Sequence, residues 1–274
     1  MSNNKNMQHL QAVVFDWAGT IIDFGSLAPM GAFVQLFARY DVSISIAEAR
    51  VPMGLAKWDH IHALGNQPDI AQRWRQAHGR DFSDADCDEL YEVFTPMNQA
   101  SVTQHASLIP GALETVVALR ARGLKIGSTT GYNRPIMDVV APLAEAQGYK
   151  PDNLVCAGDM ASARPGPLMM VRTLSDLGVW PPAAVVKVDD TVPGLQEGRA
   201  VGAWVVGLAV TGNCLGLSEA EWLATPPERQ ALLRAQAHQL LLDGGAHFVI
   251  DGVADLLPLI AEIERRMAAG ELPA

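Results

Sequence analysis

The sequence predicts an α/β protein, a Rossmann-like parallel-sheet core interrupted after its first strand by an inserted α-helical segment. Two observations carry this. From Ile109 onward, short apolar runs alternate with stretches of helical period, the pattern of right-handed βαβ units building a parallel sheet. Between about 27 and 104 no convincing strand occurs, and amphipathic helices follow one another. The first strand is Val13-Val14-Phe15, which stops at Asp16 and opens into the small-residue turn Trp17-Ala18-Gly19-Thr20. Helices are then expected over 31–39, 47–64, 70–78 and 84–104, with Pro52, Gly65 and Gly79 as interruptions. Pro110-Gly111 restarts the alternation: helix 112–122, strand 124–127 running into Ser128-Thr129-Thr130-Gly131, helix 135–147, strand 154–157 and helix 167–177. Strand 184–188 ends at Asp189-Asp190 and leads into helix 194–200, strand 203–207, a helix near 227–242, strand 247–250 and helix 253–267. The expected domains are a core of 1–26 plus 105–274 and a helical domain of 27–104, joined by hinges near 23–28 and 104–110. The stretch 215–238 reads as an added surface helix pair.

The 274 residues are 49% hydrophobic and 18% charged, enough apolar chain for a substantial core. Thirty acidic side chains against twenty basic ones give a formal net charge of −10, which argues against nucleic-acid binding through the phosphate backbone. Cys87, Cys156 and Cys214 are far apart and odd in number, so neither a disulfide framework nor a thiolate metal site is expected. The first ten residues lack an apolar signal-peptide core, and no window approaches the ~18 apolar residues that cross a membrane. The expectation is a cytoplasmic protein with a small-molecule substrate and no membrane or nucleic-acid partner.

Open α/β sheets bind ligands at the carboxyl ends of their strands, and each core strand here ends in a different polar group. Asp16 is a potential nucleophile or metal ligand. Ser128-Thr129-Thr130-Gly131 suits hydrogen bonding to phosphate oxygens. Arg164, in Arg164-Pro165-Gly166-Pro167, offers a fixed fork of donors to an anion, and Asp190 can share a divalent cation with Asp16. Oxygen-only ligands favour Mg²⁺ over zinc. Singly, each has an ordinary structural explanation, as turn cap, helix cap or surface ion pair; their joint order at successive strand ends does not.

This order resembles the haloacid dehalogenase superfamily of aspartate-nucleophile phosphotransferases. The resemblance makes Asp16 the nucleophile, Thr130 the hydroxyl of the second motif, Arg164 the cation of the third and Asp190 the acid of the fourth, with the helical insertion as a cap domain. That superfamily usually carries Asp-x-Asp in its first motif, where this chain has Ala18. Within it, Asp16-Trp17-Ala18-Gly19-Thr20, Met53-Gly54-Leu55-Ala56-Lys57-Trp58-Asp59-His60, Ser128-Thr129-Thr130-Gly131-Tyr132 and Lys187-Val188-Asp189-Asp190-Thr191 resemble the phosphonoacetaldehyde hydrolase (phosphonatase) family, over about residues 11–210.

The resemblance implies hydrolysis of a carbon–phosphorus bond, with Lys57 as Schiff-base amine, Mg²⁺ held by Asp16, the Ala18 carbonyl and Asp190, and a homodimer formed through cap helices. Thr130, Gly131, Tyr132, Arg164, Met53 and His60 would bind or surround substrate. Met53 and His60 lie four before and three after Lys57, so one helix would put all three on a single face, Met53 walling off the amine and His60 relaying a proton. Two positions depart from the family: Gly194 stands where another acid often follows the metal-binding aspartate by four, with Asp189 unexpected nearby, and Ser26 replaces a cysteine. A conventional small-molecule phosphatase or phosphomutase, and a catalytically silent binding module, are the competing expectations; Ala18 weighs against the first, and the joint presence of Asp16, Lys57, Arg164 and Asp190 against the second.

Overall fold

Strand β1 (Ala12–Phe15) is buried at every position in the computed structural model, which describes residues 9–273. After β1 the chain leaves the sheet through a tight turn in which Asp23 and Ser26 adopt positive φ. The Asp23 carboxylate then accepts from the backbone N–H groups of Leu27 and Ala28, at 3.0 and 2.9 Å, and so caps the first helix of the insertion. Five helices follow: α1 (Ala28–Ala38), α2 (Ile46–Arg50), α3 (Lys57–Gly65), α4 (Pro68–His78) and α5 (Asp84–Val102). Capping boxes set two of their starts, Ser45 with Glu48 and Ser83 with Asp86. The helical domain has its own apolar centre, where Phe33 of α1 stacks on His60 of α3 and Phe94 of α5, with centroids 4.0 and 4.4 Å apart.

The chain returns beside its point of exit. Asp23 N–H donates to the Ser107 carbonyl at 3.2 Å, and Ile22 pairs with Leu108. Both connections expected as hinges therefore lie side by side. The core continues with α6 (Ala112–Ala121), β2 (Lys125–Asn133), α7 (Arg134–Ala146), β3 (Val155–Ala157), α8 (Leu168–Leu177), β4 (Val185–Asp189), α9 (Val192–Val201) and β5 (Trp204–Leu208). It closes with α10 (Glu219–Ala224), α11 (Pro227–Asp243), β6 (Phe248–Ile250) and α12 (Leu256–Ala268). The six strands run in the order β3-β2-β1-β4-β5-β6 and every pairing is parallel. Near-continuous apolar strands buried on both faces are what such a sheet requires. Phe15 pairs with Ser128 on one side and Val188 on the other, which brings Asp16, Thr129 and Asp189 level at the carboxyl edge. This is the point where strand order reverses about β1, and a crevice opens there.

Two local expectations are corrected. The stretch 47–64 is not one helix: α2 ends at Arg50, and a turn through Pro52 and Gly54, with Gly54 at φ +95°, separates it from α3. Proline removes a backbone donor and glycine accepts the left-handed turn, so the helix stops and restarts at Lys57. The strand expected over 124–127 runs on to Asn133, with a register irregularity between Thr130 and Asn133, so the hydroxyl run belongs to the strand itself.

Phe94 is fully buried between the helices of the insertion. Phe94→Ala should lower unfolding free energy by about 3–5 kcal/mol, the usual cost of a large aromatic-to-alanine cavity, read by urea denaturation; a loss under about 1 kcal/mol would show that the helical domain does not depend on this stack.

Candidate active site

The carboxyl ends of β1, β2 and β4 supply most of the crevice. Arg164 reaches it from the loop after β3 and is 4% exposed. Its guanidinium donates to Asp16 Oδ1 at 2.7 Å and to the Thr129 carbonyl at 2.9 Å, and pairs with Asp189 at 3.1 Å and Glu197 at 3.2 Å. The sequence reading passed over two members of this cluster. Lys187, fully buried, donates from β4 to Thr129 Oγ1 at 2.8 Å and lies 3.1 Å from Asp189 Oδ2. Glu197 of α9, also fully buried, accepts from the Thr129 hydroxyl at 2.8 Å. A lysine between Val186 and Val188 in a strand buried on both faces was the available signal for the first. Glu197 on the buried side of α9, beside Gly198, was the signal for the second.

Asp190 sits on the other flank of Asp16. Its Oδ2 accepts from the backbone N–H of Asn213 at 2.7 Å and its Oδ1 from the Thr20 hydroxyl at 3.4 Å. Oxygen atoms of Asp16, Asp189 and Asp190 lie within 4.8 Å of one another. Burial pushes the Asp16 carboxyl up to about 6, with Arg164 pulling it down and Asp189 pushing it further up. Asp190 is driven well above the carboxylate range by burial and by its two acidic neighbours. Burial opposes charge on Arg164 as well, but Asp189, Asp16 and Glu197 together hold the guanidinium more firmly protonated than usual. Four carboxyl groups and two cationic side chains thus share one buried cluster, a formal deficit of two positive charges. The donor set is all oxygen, and the deficit is that of a divalent cation. The residues fit a hard metal ion of charge two, with Asp16 and Asp190 able to ligate it and Ala18 lining the cavity beside Asp16.

The cap supplies the opposite wall. Lys57, first residue of α3, is 4% exposed, and its Nζ lies 5.0 Å from the Tyr132 ring and 5.7 Å from that of Phe33. Burial lowers its ammonium to about 8, against an opposing pull from Asp16. A cavity of about 20 Å³, room for roughly one water, is lined by Asp16, Ala18, Met53, Lys57, Gly131 and Arg164, among others including Tyr132. A wider cleft of about 650 Å³ shares Lys57 and Arg164 with it.

Met53 lines the small cavity from the turn before α3 rather than from the helix face assumed in the sequence reading. His60 does not reach that cavity. It is fully buried, with Nε2 2.9 Å from the Ala49 carbonyl, so the hydrogen sits on Nε2. Its Nδ1 has no hydrogen-bond partner. Burial and the charge of Lys57 keep its pKa well below the ordinary imidazole value, so the ring is neutral. Thr130 also lies behind the wall, its hydroxyl accepting from Tyr132 N–H at 3.1 Å.

Cap and core meet tightly here. A Cβ on Gly131 would come within 2.8 Å of the Leu55 carbonyl oxygen, so only glycine lets the turn before α3 approach β2 this closely. Arg50, which the sequence reading did not single out, fastens the seam from the end of α2. Its guanidinium donates to the carbonyls of Gly25, Ser26 and Gly216 at 3.0, 3.3 and 3.2 Å and to Asn213 Oδ1 at 3.0 Å. Asn213 is the residue whose backbone holds Asp190, so one cap side chain touches the connection at 23–28 and the loop behind Asp190.

A buried parallel-sheet crevice joining a strand-end aspartate, an arginine and further carboxylates to a helical cap defines a phosphoryl-handling hydrolase. Residues 10–202 match the model of the haloacid dehalogenase-like hydrolases. The phosphonoacetaldehyde hydrolase of Paraburkholderia xenovorans is 50% identical over 97% of this chain and all of its own length. That of Aeromonas hydrophila is 47% identical over 96% of this chain and 95% of its own. The crystal structure of a phosphonoacetaldehyde hydrolase-like protein from Oleispira antarctica superposes with a TM-score of 0.95 at 41% identity, covering 96% of both chains. A β-phosphoglucomutase from Clostridium difficile shares the fold alone, with a TM-score of 0.66 at 15% identity over 95% of this chain and 99% of its own. The chain belongs to the haloacid dehalogenase-like hydrolases, and within them to the family of the phosphonoacetaldehyde hydrolases.

Two outcomes follow from the seam and the buried amine. Arg50→Ala should speed amide hydrogen exchange over 51–56 and 212–216 and cost about 1–3 kcal/mol, since it strands carbonyls bonded to a charged donor; unchanged exchange in both segments would mean that Arg50 does not hold them. The Lys57 ammonium titrates lower in the fold than its ordinary 10.5. Its burial penalty is therefore full below about pH 8 and fades as pH rises from there towards 10.5. Lys57→Met should raise the melting temperature at pH 7 and raise it less at pH 10; an equal shift at both would contradict a depressed lysine.

Proposed function

We propose that the protein hydrolyses the carbon–phosphorus bond of phosphonoacetaldehyde to acetaldehyde and phosphate, with Asp16 as nucleophile and Lys57 as Schiff-base amine. The single observation that supports this best is the pairing of a buried Lys57, its ammonium destabilised by that burial, with Asp16 across one cavity, together with alanine at position 18. A carbanion is a poor leaving group. A primary amine that condenses with the neighbouring aldehyde converts the carbon into an electron sink.

The sequence of events follows from the chain's own groups. Neutral Lys57 adds to the aldehyde carbonyl and water leaves, giving an iminium. The Asp16 carboxylate attacks phosphorus, and the electrons of the breaking carbon–phosphorus bond pass into the iminium to form an enamine. Arg164, fixed beside Asp16 at 2.7 Å, and the β2 edge at Gly131 orient the anionic oxygens. Water hydrolyses the aspartyl phosphate. Protonation of the enamine at carbon and hydrolysis of the resulting iminium release acetaldehyde and restore Lys57. A Mg²⁺ ion on Asp16, Ala18 and Asp190, when bound, supplies charge neutralisation between carboxylate and phosphonate. No ester oxygen leaves, so no acid is needed at position 18.

Met53 and the Phe33 and Tyr132 rings keep water from the amine, which holds its pKa down. His60, neutral and with Nδ1 as its free acceptor, serves that environment better as an uncharged neighbour than as an acid. The cavity beside Asp16 holds only about 20 Å³, and the paired connections at 23–28 and 104–110 would let the cap swing to admit substrate. A homodimer and a cytoplasmic setting accompany this reading, and the first is read directly by analytical ultracentrifugation.

Release of acetaldehyde and phosphate from phosphonoacetaldehyde with Mg²⁺ is the primary test. Borohydride added with substrate should reduce the iminium and trap a stable adduct on Lys57, and Lys57→Arg should lose at least about 1,000-fold in kcat while retaining its fold. Full activity of that variant, or phosphate-monoester turnover indifferent to it, would point instead to a conventional phosphatase. The pH profile of kcat/KM should fall as pH drops below about 8, because the amine must shed its proton before it adds to the carbonyl; a profile flat from pH 6 to 8 is incompatible with this assignment.

A further inference from the structure

Strand β2 gives way to α7 at three consecutive residues that reach in three directions. The Tyr132 ring faces the Lys57 amine at 5.0 Å. Arg134 pairs with Asp159, at the start of the loop that carries Arg164. Asn133, between them and buried, turns towards the cap. Its Oδ1 accepts from the Ile136 backbone N–H at 3.2 Å and so caps α7. Its Nδ2 donates to the Tyr91 hydroxyl at 2.8 Å and to Thr95 Oγ1 at 3.3 Å. Tyr91, Thr95 and Gln99 recur at every fourth position of α5 and so share a face. The Gln99 amide donates to the Pro135 carbonyl at 2.7 Å, so this face of α5 lies along the first turn of α7.

Helix α5 in turn carries α3. The Trp58 indole donates to Asp88 at 2.7 Å, and the Cys87 thiol donates to the Trp58 carbonyl at 3.4 Å. Trp58 is the immediate neighbour of Lys57, and Tyr91 lines the wider cleft together with Lys57 and Arg164. We propose that Asn133 is a positioning residue for Lys57: with Tyr91 it clasps α5 to the core, and the clasp holds the amine against the Tyr132 ring in the cavity shared with Asp16. This rests on the reading of Lys57 as the reacting amine. An amide suits the position because its oxygen serves one helix while its nitrogen serves the other. Arg50 fastens a different part of the cap, the end of α2, so the two attachments act through separate helices. Release of the clasp lets water reach the amine, and the ammonium regains hydration that burial denies it.

The test is competitive labelling of the substrate-free, full-length chain with acetic anhydride across the pH range, read by peptide mass spectrometry with the exposed Lys150 as internal reference. Tyr91→Phe removes the acceptor on α5 and leaves the α7 cap in place. Asn133→Ser keeps a capping hydroxyl but is too short to reach α5. In both variants Lys57 should label at least about fivefold faster at pH 8, because the cap opens more often. Its midpoint should also rise by about half a unit or more, towards the ordinary 10.5. The acid limb of the kcat/KM profile should move up by the same amount, a shift that lowered stability alone would not produce. A Lys57 labelling rate within about twofold of that in the unaltered chain, or an unmoved midpoint, in either variant overturns the proposal. The labelling needs no turnover, so its outcome is separate from that of the Schiff-base reading, which borohydride trapping decides on the unaltered chain.

Discussion

The constraint on which this structure turns is the removal from water of six ionisable groups at one edge of the sheet. Asp16, Asp189, Asp190 and Glu197 surround Arg164 and Lys187 with almost no exposure. Burying charges is costly, and only close mutual pairing and full hydrogen bonding offset the loss of hydration. The register of β1 with β2 and β4 provides that pairing, because it brings Asp16, Thr129 and Asp189 level. Thr129 is the small hinge of the arrangement: its hydroxyl accepts from Lys187 and donates to Glu197, and its carbonyl accepts from Arg164. The pairing is incomplete by two formal charges, the charge of the divalent cation proposed for this crevice.

The same low-dielectric setting works in the opposite sense on the cap. Among the described residues no carboxylate lies within ion-pair distance of the buried Lys57, and aromatic faces at 5.0 and 5.7 Å compensate only part of its lost hydration. On the proposed reaction, burial under the cap would thus create the reactive state of the amine as well as position it. Arg50 and Gly131 matter for this reason. The first ties the end of α2 to the hinge and to the loop behind Asp190. The second permits the close approach of the turn that carries Met53 and leads into Lys57. A loosened seam would admit water, return the ammonium towards its ordinary pKa, and lengthen the gap to Asp16 at the same time.

Much of this was legible in the sequence, for reasons that can be stated. Strand ends in an open parallel sheet converge, so Asp16, Gly131, Arg164 and Asp190 could be placed together from order alone, whereas Thr130 turns its hydroxyl back to the Tyr132 N–H. Lys57 could not: a lysine in a helical insertion carries no sign of burial, and only the likeness of the surrounding residues 53–60 to a known family marked it. The face-sharing argument for Met53, Lys57 and His60 failed because it assumed helical continuity through Pro52 and Gly54, where backbone chemistry forbids it. Lys187 and Glu197 were missed although a charged residue inside a doubly buried element is itself a signal. Arg50 left none, since its partners are backbone carbonyls and an asparagine far away in sequence.

Ala18 gains a second explanation from the charge cluster. A carboxylic acid at that position would face the same cavity as Asp16 and add a fifth acid to a site that already lacks two positive charges. In a phosphatase such an acid is useful because an oxygen leaving group must be protonated. Where the leaving group is carbon, made stable by conjugation to an amine from the cap, the acid has no proton to deliver and still exerts its repulsion. An ionised form would also stabilise the ammonium form of Lys57, as Asp16 already does, and so oppose the deprotonation on which condensation depends. On the proposed reaction, the methyl side chain at 18 and the lysine at 57 are therefore two parts of one arrangement: activation of the leaving group would lie entirely on the cap, and the core edge would keep only the charge needed to attack phosphorus.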